Sequence, residues 1–218
     1  SDTIMDENDF WFFNPLIALG IDGTVAFDNV VPGTISYSET VVLTNDADPD
    51  SGVLLDMFIS GTDFYDPASA GSRCPVTNRL KLGNQTLEGG DNGPAVGTSV
   101  DDDLCEINLG GTETGDHLCY YASQGGYDTQ DDPRGDAEGY VPIEYSDVFT
   151  TNFYNDAEII APTDHVSGGL MTIGGIAYFA GNVLSPGADI AITFKLGLPE
   201  PCLGDFSDGD ILFWGEAI

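Results

Sequence analysis

Basic residues are scarce in this sequence: five Lys and Arg stand against 37 Asp and Glu, and the formal net charge is −32. A surface so acidic repels the phosphates of nucleic acids and of anionic lipids. It also repels other copies of itself unless salt or bound cations screen the charge. We therefore expect no nucleic-acid partner and no membrane contact in the mature form. A saline habitat and a calcium-containing exterior both fit the composition.

Long apolar runs are also lacking. No stretch of about 18 or more apolar residues occurs, so the sequence predicts no transmembrane helix. The chain starts at Ser1 without an initiator Met or a signal peptide. This start predicts an extracellular or cell-surface protein whose signal peptide has been removed.

Enzymatic signatures are absent too. The sequence contains no G-x-S-x-G, H-E-x-x-H, G-x-G-x-x-G or P-loop motif. Only two histidines occur, His117 and His165, and neither stands in a catalytic pattern. Asp50-Ser51-Gly52 matches the aspartic-protease triplet, but no apolar strand precedes it and no second copy follows. We expect that the protein is not an enzyme.

Four cysteines, Cys74, Cys105, Cys119 and Cys202, are widely spaced, and none lies in a C-x-x-C pair. That spacing argues against a zinc site or a redox motif. An even number favours two disulfides formed in an oxidising compartment, with three pairings open. The alternative is four buried free thiols.

Strand patterns recur along the chain, whereas every window with helical spacing is cut by Gly, Pro or a β-branched run. Residues 34–44 alternate apolar and polar side chains, and Pro32-Gly33 supplies a tight turn before them. Short strands divided by Gly, Pro, Asn and Asp indicate an all-β sandwich or barrel. The predicted strands are residues 24–31, 34–44, 53–60, 76–82, 104–109, 117–122, 140–145, 148–154, 169–179, 189–198 and 211–214.

Two acidic stretches are predicted to be loop insertions on this framework. Residues 83–103 and 110–139 are rich in Gly and Asp, and they contain or flank three of the four cysteines. Disulfides would hold loops that are too polar to pack on their own. The sequence thus predicts a single β-sandwich domain over residues 21–218, with loop-rich insertions at 83–139. Within them, the sequon Asn84-Gln85-Thr86 makes Asn84 a candidate for N-glycosylation.

The most apolar run of the chain lies near its N-terminus, over residues 9–19, where chains are normally frayed and polar. Leaving each of these side chains in water costs about 1.5–3 kcal/mol relative to burial. Three interpretations stay open: a first strand of the same subunit, a donor strand over residues 1–20 that fills a second copy, or a membrane-anchor remnant. A donor strand used head to tail builds a homopolymeric filament. The donor side chains would be Phe10, Trp11, Phe12, Phe13, Leu16, Ile17 and Leu19.

Two parts of the chain resemble a known family. Residues 24–64 run as a strand, a Pro-Gly turn, an alternating strand ending in Thr44-Asn45, an acidic loop, and a strand continuing into Ile59-Ser60-Gly61-Thr62-Asp63-Phe64. This order resembles the opening of secreted fibre proteins of the TasA/camelysin type and of archaeal bundling pili. Residues 209–218 suit a closing strand of the same fold. The resemblance implies a jelly-roll-like sandwich, export through a cleaved signal peptide, and a pilus- or biofilm-type filament polymerised by an N-terminal donor strand.

Clustered aspartates are candidates for Ca²⁺ binding. Residues 46–52 start like an EF-hand loop, but Ser51 and Met57 stand where that loop needs Gly and Glu. Alternating aspartates could still form an irregular calcium loop, and the alternative is a solvated turn. Adjacent carboxylates repel one another unless a cation lies among them. The candidate ligands are Asp46, Asp48, Asp50, Asp101, Asp102, Asp103, Asp128, Asp131, Asp132, Asp136, Asp205, Asp208 and Asp210.

Tyrosines near the Asp- and Gly-rich loops suggest a second function. Tyr120, Tyr121, Tyr127 and Tyr140 could offer aromatic faces to sugar rings while carboxylates accept the sugar hydroxyls. The alternative place for these side chains is the hydrophobic core. The sequence therefore predicts first an extracellular filament subunit and, as the alternative, a secreted carbohydrate-binding or adhesin module with glycan partners.

Overall fold

The computed structural model describes residues 18–67, 79–80, 82–84, 118–130, 132, 135–145, 157–160, 169–198, 200 and 202–218. Over these residues the chain is all-β, as the sequence predicted, with 16 strands and no helix. The described residues accordingly include no helix that could cross a membrane. The strands are β1 (Leu19–Asp22), β2 (Thr34–Tyr37), β3 (Val41–Asn45), β4 (Leu55–Gly61), β5 (Phe64–Tyr65), β6 (Arg79–Leu80), β7 (Gly83–Asn84), β8 (Leu118–Gln124), β9 (Tyr127–Asp128), β10 (Val141–Pro142), β11 (Glu144–Tyr145), β12 (Leu170–Ile173), β13 (Ile176–Phe179), β14 (Val183–Leu184), β15 (Asp189–Leu198) and β16 (Ile211–Ala217).

The first sheet has seven antiparallel strands, and β15 lies at its centre. β2 and β3 pair with one edge of β15, and β8 pairs with the other edge. β1 pairs with β3, while β9 and β10 both pair with β8. Alternate residues of a strand face the same side, so Ile190, Ile192 and Phe194 lie fully buried on one face of β15.

The second sheet is built around β4, all of whose residues are buried. β16 pairs with the full length of β4 on one edge. On the other edge β14, Glu158 and β11 pair with it in succession, and β7 pairs with β11. Met57 faces the main core, whereas Phe58 on the opposite face contacts Ala157 and Trp214. Both faces of β4 are therefore covered, and it carries apolar side chains on each of them.

The two sheets share one hydrophobic core. Leu43 and Phe194 enter it from the first sheet, and Leu55 and Ile59 enter it from the second. Ile143 is fully buried where the chain passes from β10 in the first sheet to β11 in the second. The predicted strand over residues 140–145 is therefore divided between the two sheets.

Residues 24–31 form no strand, contrary to the sequence prediction. Asn29 has a φ of 57°, in the left-handed region, and the chain turns at this point instead of staying extended. Val25 and Phe27 still pack against the core from this connection. Gly33, with a φ of 77°, occupies the turn that the sequence predicted before β2.

Two other predicted strands are interrupted. The prediction over residues 34–44 breaks between β2 and β3 at Ser38, whose Oγ accepts a hydrogen bond from the backbone N–H of Phe194 at 2.9 Å. The side chain thus substitutes for a backbone acceptor of the ladder. The prediction over residues 169–179 is a hairpin, because Gly174 and Gly175 both have positive φ and turn the chain between β12 and β13.

Part of the predicted insertion belongs to the core. β8 lies within the range 110–139, yet Tyr120 and Ala122 are buried and β8 pairs with the central strand β15. The aliphatic residues of β8 mark the limit of the polar stretch. The predicted strands over residues 104–109 and 148–154 lie outside the described residues.

Candidate functional site

An apolar cavity of about 670 Å³ opens at the Leu198 end of β15. Its walls come from both sheets, from the connection between β1 and β2, and from the loop before β16. The cavity is open to solvent, so a segment of another molecule could enter it. The apolar lining includes Phe27, Leu118, Leu196, Leu198, Phe206 and Ile211.

The lining favours an apolar occupant that carries no negative charge. Asp28 and Asp205 also line the cavity, and their carboxylates would repel an anionic ligand. The volume falls within the range of about 300–1,000 Å³ that is typical of ligand-binding pockets. A bound apolar segment would gain the same kind of burial as the core beside it.

The N-terminal chain enters the first sheet at the end opposite this cavity. Leu19 pairs with Asn45 in β3, and the neighbouring Thr44 pairs with Asp189, the first residue of β15. β15 then runs 10 residues to Leu198 at the cavity, a length of about 30 Å. β1 runs in the direction of the cavity, so Ala18, which precedes it, lies at the far end of the sheet.

One predicted donor residue belongs to its own subunit. Leu19 lies in β1 and packs half-buried against the core of the same chain. The backbone carbonyl of Ala18 also accepts a hydrogen bond from the N–H of Asp46 at 2.9 Å. The other predicted donor residues lie outside the described residues. They are Phe10, Trp11, Phe12, Phe13, Leu16 and Ile17.

The modification positions are described in part. Cys119 and Cys202 are both disulfide-bonded and fully buried. Cys202 lies in the main core beside the cavity, whereas Cys119 lies with Tyr140 on the opposite face of the first sheet. Asn84 lies in the short strand β7 rather than in a loop. Cys74 and Cys105 lie outside the described residues.

Several candidate calcium ligands cap turns instead of converging. Asp48 Oδ1 accepts a hydrogen bond from the N–H of Asp50 at 3.0 Å, and Asp128 Oδ1 accepts one from Gln130 at 3.0 Å. Such turns satisfy the backbone locally. Within the described part of the chain, no group of three or more His, Cys, Asp or Glu is placed to hold a metal ion. The candidates Asp101, Asp102, Asp103 and Asp131 lie outside the described residues.

Lys195 is buried on the outer face of the first sheet and holds a loop there. Its Nζ lies 2.7 Å from Asp136 Oδ2 and 2.9 Å from Glu138 Oε2. Asp136 Oδ1 in turn accepts hydrogen bonds from the N–H groups of Glu138 and Tyr140. Burial acts to lower the pKa of Lys195, but the two carboxylates outweigh it and raise this pKa above its ordinary value. The loop and its lysine therefore form one charged, hydrogen-bonded cap.

The tyrosines are divided between this cap and the core. Tyr37, Tyr121 and Tyr140 pack with tilted rings, and Lys195 Nζ lies 5.2 Å from the centre of the Tyr140 ring. Tyr120, a predicted sugar-binding residue, lies in the core, where its hydroxyl donates to the Ile159 carbonyl at 3.0 Å. The predicted residue Tyr127 packs half-buried against the core. Tyr37 was not among the sequence candidates.

A buried carboxyl in β4 was also missed by the sequence analysis. Burial raises the pKa of Asp56 from 3.8 to about 6, the hydrogen bond from Asn182 opposes this rise, and the charge of Glu216 adds to it. Asn182 Oδ1 accepts hydrogen bonds from the N–H groups of Ile159 and Ile160 at 2.9 and 3.1 Å. The sequence signal that could have revealed it is the presence of one acidic residue within the mostly apolar predicted strand over residues 53–60.

No family model, no curated protein and no solved structure matches this chain. The resemblance of residues 24–64 to secreted fibre proteins therefore stays a prediction from the sequence.

Proposed function

We propose that this protein is a structural subunit of an extracellular filament, in which the N-terminal segment of each copy completes the next copy as a donor strand. The two larger sheets form a jelly-roll-like sandwich in this proposal. Its main support is the separation of Ala18, where the N-terminal chain enters, from the cavity at Leu198 at the other end of the sheet. Entry at one end and an open apolar space at the other are what head-to-tail addition requires.

The chemistry of the two partners also agrees. Residues 10–21 contain no charged side chain and include three Phe and one Trp. The cavity wall is mainly apolar, and the carboxylates of Asp28 and Asp205 in it would repel a negatively charged segment. Each large apolar side chain moved from water into the cavity stabilises the pair by about 1.5–3 kcal/mol.

The symmetry of such a contact leads to a polymer. One surface of each subunit binds a different surface of the next, so the contact does not close on itself and repeats along a line. The net charge of −32 opposes this assembly, and salt or Ca²⁺ bound by the acidic loops would screen it. Disulfides at Cys119 and Cys202 stiffen each subunit.

The alternative function is a carbohydrate-binding or adhesin module, with Tyr37, Tyr121 and Tyr140 as its platform. Tyr37 is 52% exposed and could stack on a sugar ring. Tyr121 and Tyr140, however, are only half-exposed and pack around Lys195. This arrangement supports a structural cap more directly than a sugar site.

Two complementary variants test the filament. Serine at Phe10, Trp11, Phe12 and Phe13 removes the donor side chains, while Ser207→Trp fills the cavity from an exposed position in its wall. We expect neither variant alone to form filaments in negative-stain micrographs or to exceed the mass of two copies by light scattering. Mixed together, they should form a larger species than either forms alone, because one still offers a cavity and the other still offers a donor.

Strand geometry supplies a control. Alternate residues of a strand face the same side, so Trp11→Ser/Phe13→Ser and Phe10→Ser/Phe12→Ser should weaken polymerisation to clearly different extents. Equal effects would indicate a nonspecific hydrophobic contact. Filaments that persist in the quadruple variant would refute the proposal, and retention on a glycan array that needs Tyr37 would support the alternative.

A further inference from the structure

A long uncharged stretch interrupts this acidic chain. Residues 165–188 contain no Asp, Glu, Lys or Arg, although such residues make up 19% of the sequence. It is the longest stretch without these four residue types, and the next longest is residues 10–21. The second belongs to the proposed donor segment and its own β1. The first needs a separate explanation.

Residues 169–180 of this stretch form a hairpin that belongs to neither of the two larger sheets, whereas β14, later in the stretch, pairs with β4 in the second sheet. β12 and β13 pair with each other and, among the described strands, with no other strand. Leu170 lies opposite Phe179 and Ile173 lies opposite Ile176, and the N–H of Ala180 closes the base on the Gly169 carbonyl at 2.6 Å. The outer edges of both strands therefore have no β-partner among the described strands.

This hairpin exposes apolar side chains on both of its faces. Leu170 is 58% exposed and Ile176 is 60% exposed, and the alternation of the strands places them on opposite faces. An isolated two-stranded hairpin is only marginally stable in water. Natural edge strands are protected from pairing by charges, prolines or bulges, and residues 170–179 contain no charge and no proline.

We propose that the β12–β13 hairpin is a self-association surface that pairs, edge to edge, with the same hairpin of a second copy. Two copies that each carry a net charge of −32 repel one another. The electrostatic cost of bringing them into contact is smallest where the contacting element carries no charge. Pairing supplies partners for the backbone N–H and C=O groups of one edge, which has no partner among the described strands. It also covers apolar side chains such as Ile176, whose exposure in water is unfavourable.

The pairing differs in symmetry from the proposed donor-strand contact. Each copy contributes the same edge, so two copies related by a two-fold axis complete the contact and leave that edge with no place for a third copy. The hairpin thus joins copies in pairs whether or not donor strands join them in lines. Its test can succeed or fail independently of the filament.

Sedimentation velocity of the full-length chain measures this pairing. We would use the quadruple Ser variant at Phe10, Trp11, Phe12 and Phe13, which removes any donor-strand contact but leaves the hairpin unchanged. We expect the apparent dimer affinity to rise as NaCl increases from about 0.1 M to about 1 M, because the Debye length falls from about 10 to about 3 Å. Leu170→Ser/Ile176→Ser in the same background should weaken dimerisation at least tenfold.

A matched control removes equal apolar exposure elsewhere. Ile21 and Val31 are 55% and 62% exposed, so Ile21→Ser/Val31→Ser changes similar surface outside the hairpin and should dimerise like its parent. Hydrogen exchange should also slow in residues 170–179 when the dimer forms. A parent that stays monomeric at every salt concentration, or a hairpin variant that dimerises normally, would overturn the inference.

Discussion

Asn182 donates a hydrogen bond from Nδ2 to Oδ1 of Asp56 at 2.6 Å, and both side chains are buried. The bond ties the turn before β14 to the central strand of the second sheet. Because Asn182 also accepts from two backbone amides at residues 159 and 160, one amide side chain holds three segments together. Within this network the carboxyl of Asp56 lowers the stability of the fold when it is ionised, since burial disfavours its charged form.

Stability should fall as the carboxyl of Asp56 ionises. Its pKa is raised from 3.8 to about 6 in the folded protein, so the folded state holds a proton that the unfolded chain releases between these values. The stability that this bound proton contributes is fully present below pH 3.8 and is lost as the pH rises through about 6. Asp56→Asn should flatten that slope and raise the free energy of unfolding at pH 7.5 by on the order of 1–3 kcal/mol.

Denaturant unfolding at several pH values checks this prediction. Asp22→Asn, at an exposed position in β1, removes the same charge from the surface and should leave the slope unchanged. An unaltered pH profile in Asp56→Asn would contradict the assignment.

Loss of the Lys195 charge should release the loop that covers it. Lys195→Met leaves the carboxylate of Asp136 buried without a cation, and we expect the free energy of unfolding to fall by about 3 kcal/mol. This value is at the low end for a broken buried ion pair, because the second partner, Glu138, is 60% exposed and can turn to water. Glu138→Gln is the control, and it should cost less than about 1 kcal/mol because exposed ion pairs contribute little. Thermal unfolding and hydrogen exchange over residues 135–140 measure both effects. Equal losses in the two variants would contradict the importance of Asp136.

Gly139 should tolerate no side chain. It has a φ of 84°, and an added Cβ would lie 2.5 Å from Gln130 Cα. Gly125 has a φ of 58°, but nothing lies within 4 Å of an added Cβ there. Gly125→Ala should therefore cost about 1–2 kcal/mol from backbone strain alone. Gly139→Ala should cost clearly more in denaturant unfolding, and equal costs would show that the contact with Gln130 relaxes.

Screening of the acidic surface should stabilise the fold. Raising NaCl from about 0.1 M to about 1 M shortens the Debye length from about 10 to about 3 Å and weakens the mutual repulsion of the carboxylates. The midpoint of thermal unfolding should rise accordingly. If the acidic loops hold calcium sites, millimolar Ca²⁺ should raise the midpoint above that in Mg²⁺ at equal ionic strength. Identical midpoints in Ca²⁺ and Mg²⁺ would show that Ca²⁺ acts only by screening the acidic surface.

Local pattern was sufficient where one face of a strand meets the core. The alternation of residues 189–198 predicted β15 with both of its ends, because every second side chain is apolar and faces the same core. The same reasoning failed for residues 24–31, where the chain turns at Asn29 although most residues of the stretch are apolar. Apolar residues can pack from a loop as well as from a strand, and periodicity does not distinguish the two.

The local sequence pattern could not predict contacts between segments that are distant in the chain. Nothing near Tyr140 in the chain indicates that it covers Lys195, and nothing near Asp56 indicates that Asn182 is its partner. Such pairs depend on which strands become neighbours, and this is decided by the packing of the two sheets. The cavity is likewise a property of assembled walls, because its lining comes from residues 25 to 211.

The sequence by itself determined the all-β class, because short alternating stretches divided by Gly, Pro and Asp cannot form long helices. It also determined the acidic surface and the position of the apolar run near the N-terminus. Only the tertiary structure decided that Leu19 stays in its own subunit, that β12 and β13 form a separate hairpin, and that Ala18 and the cavity lie at opposite ends. Each of these relations depends on which strands pair with which, and that is settled only when segments from different parts of the chain come together in space.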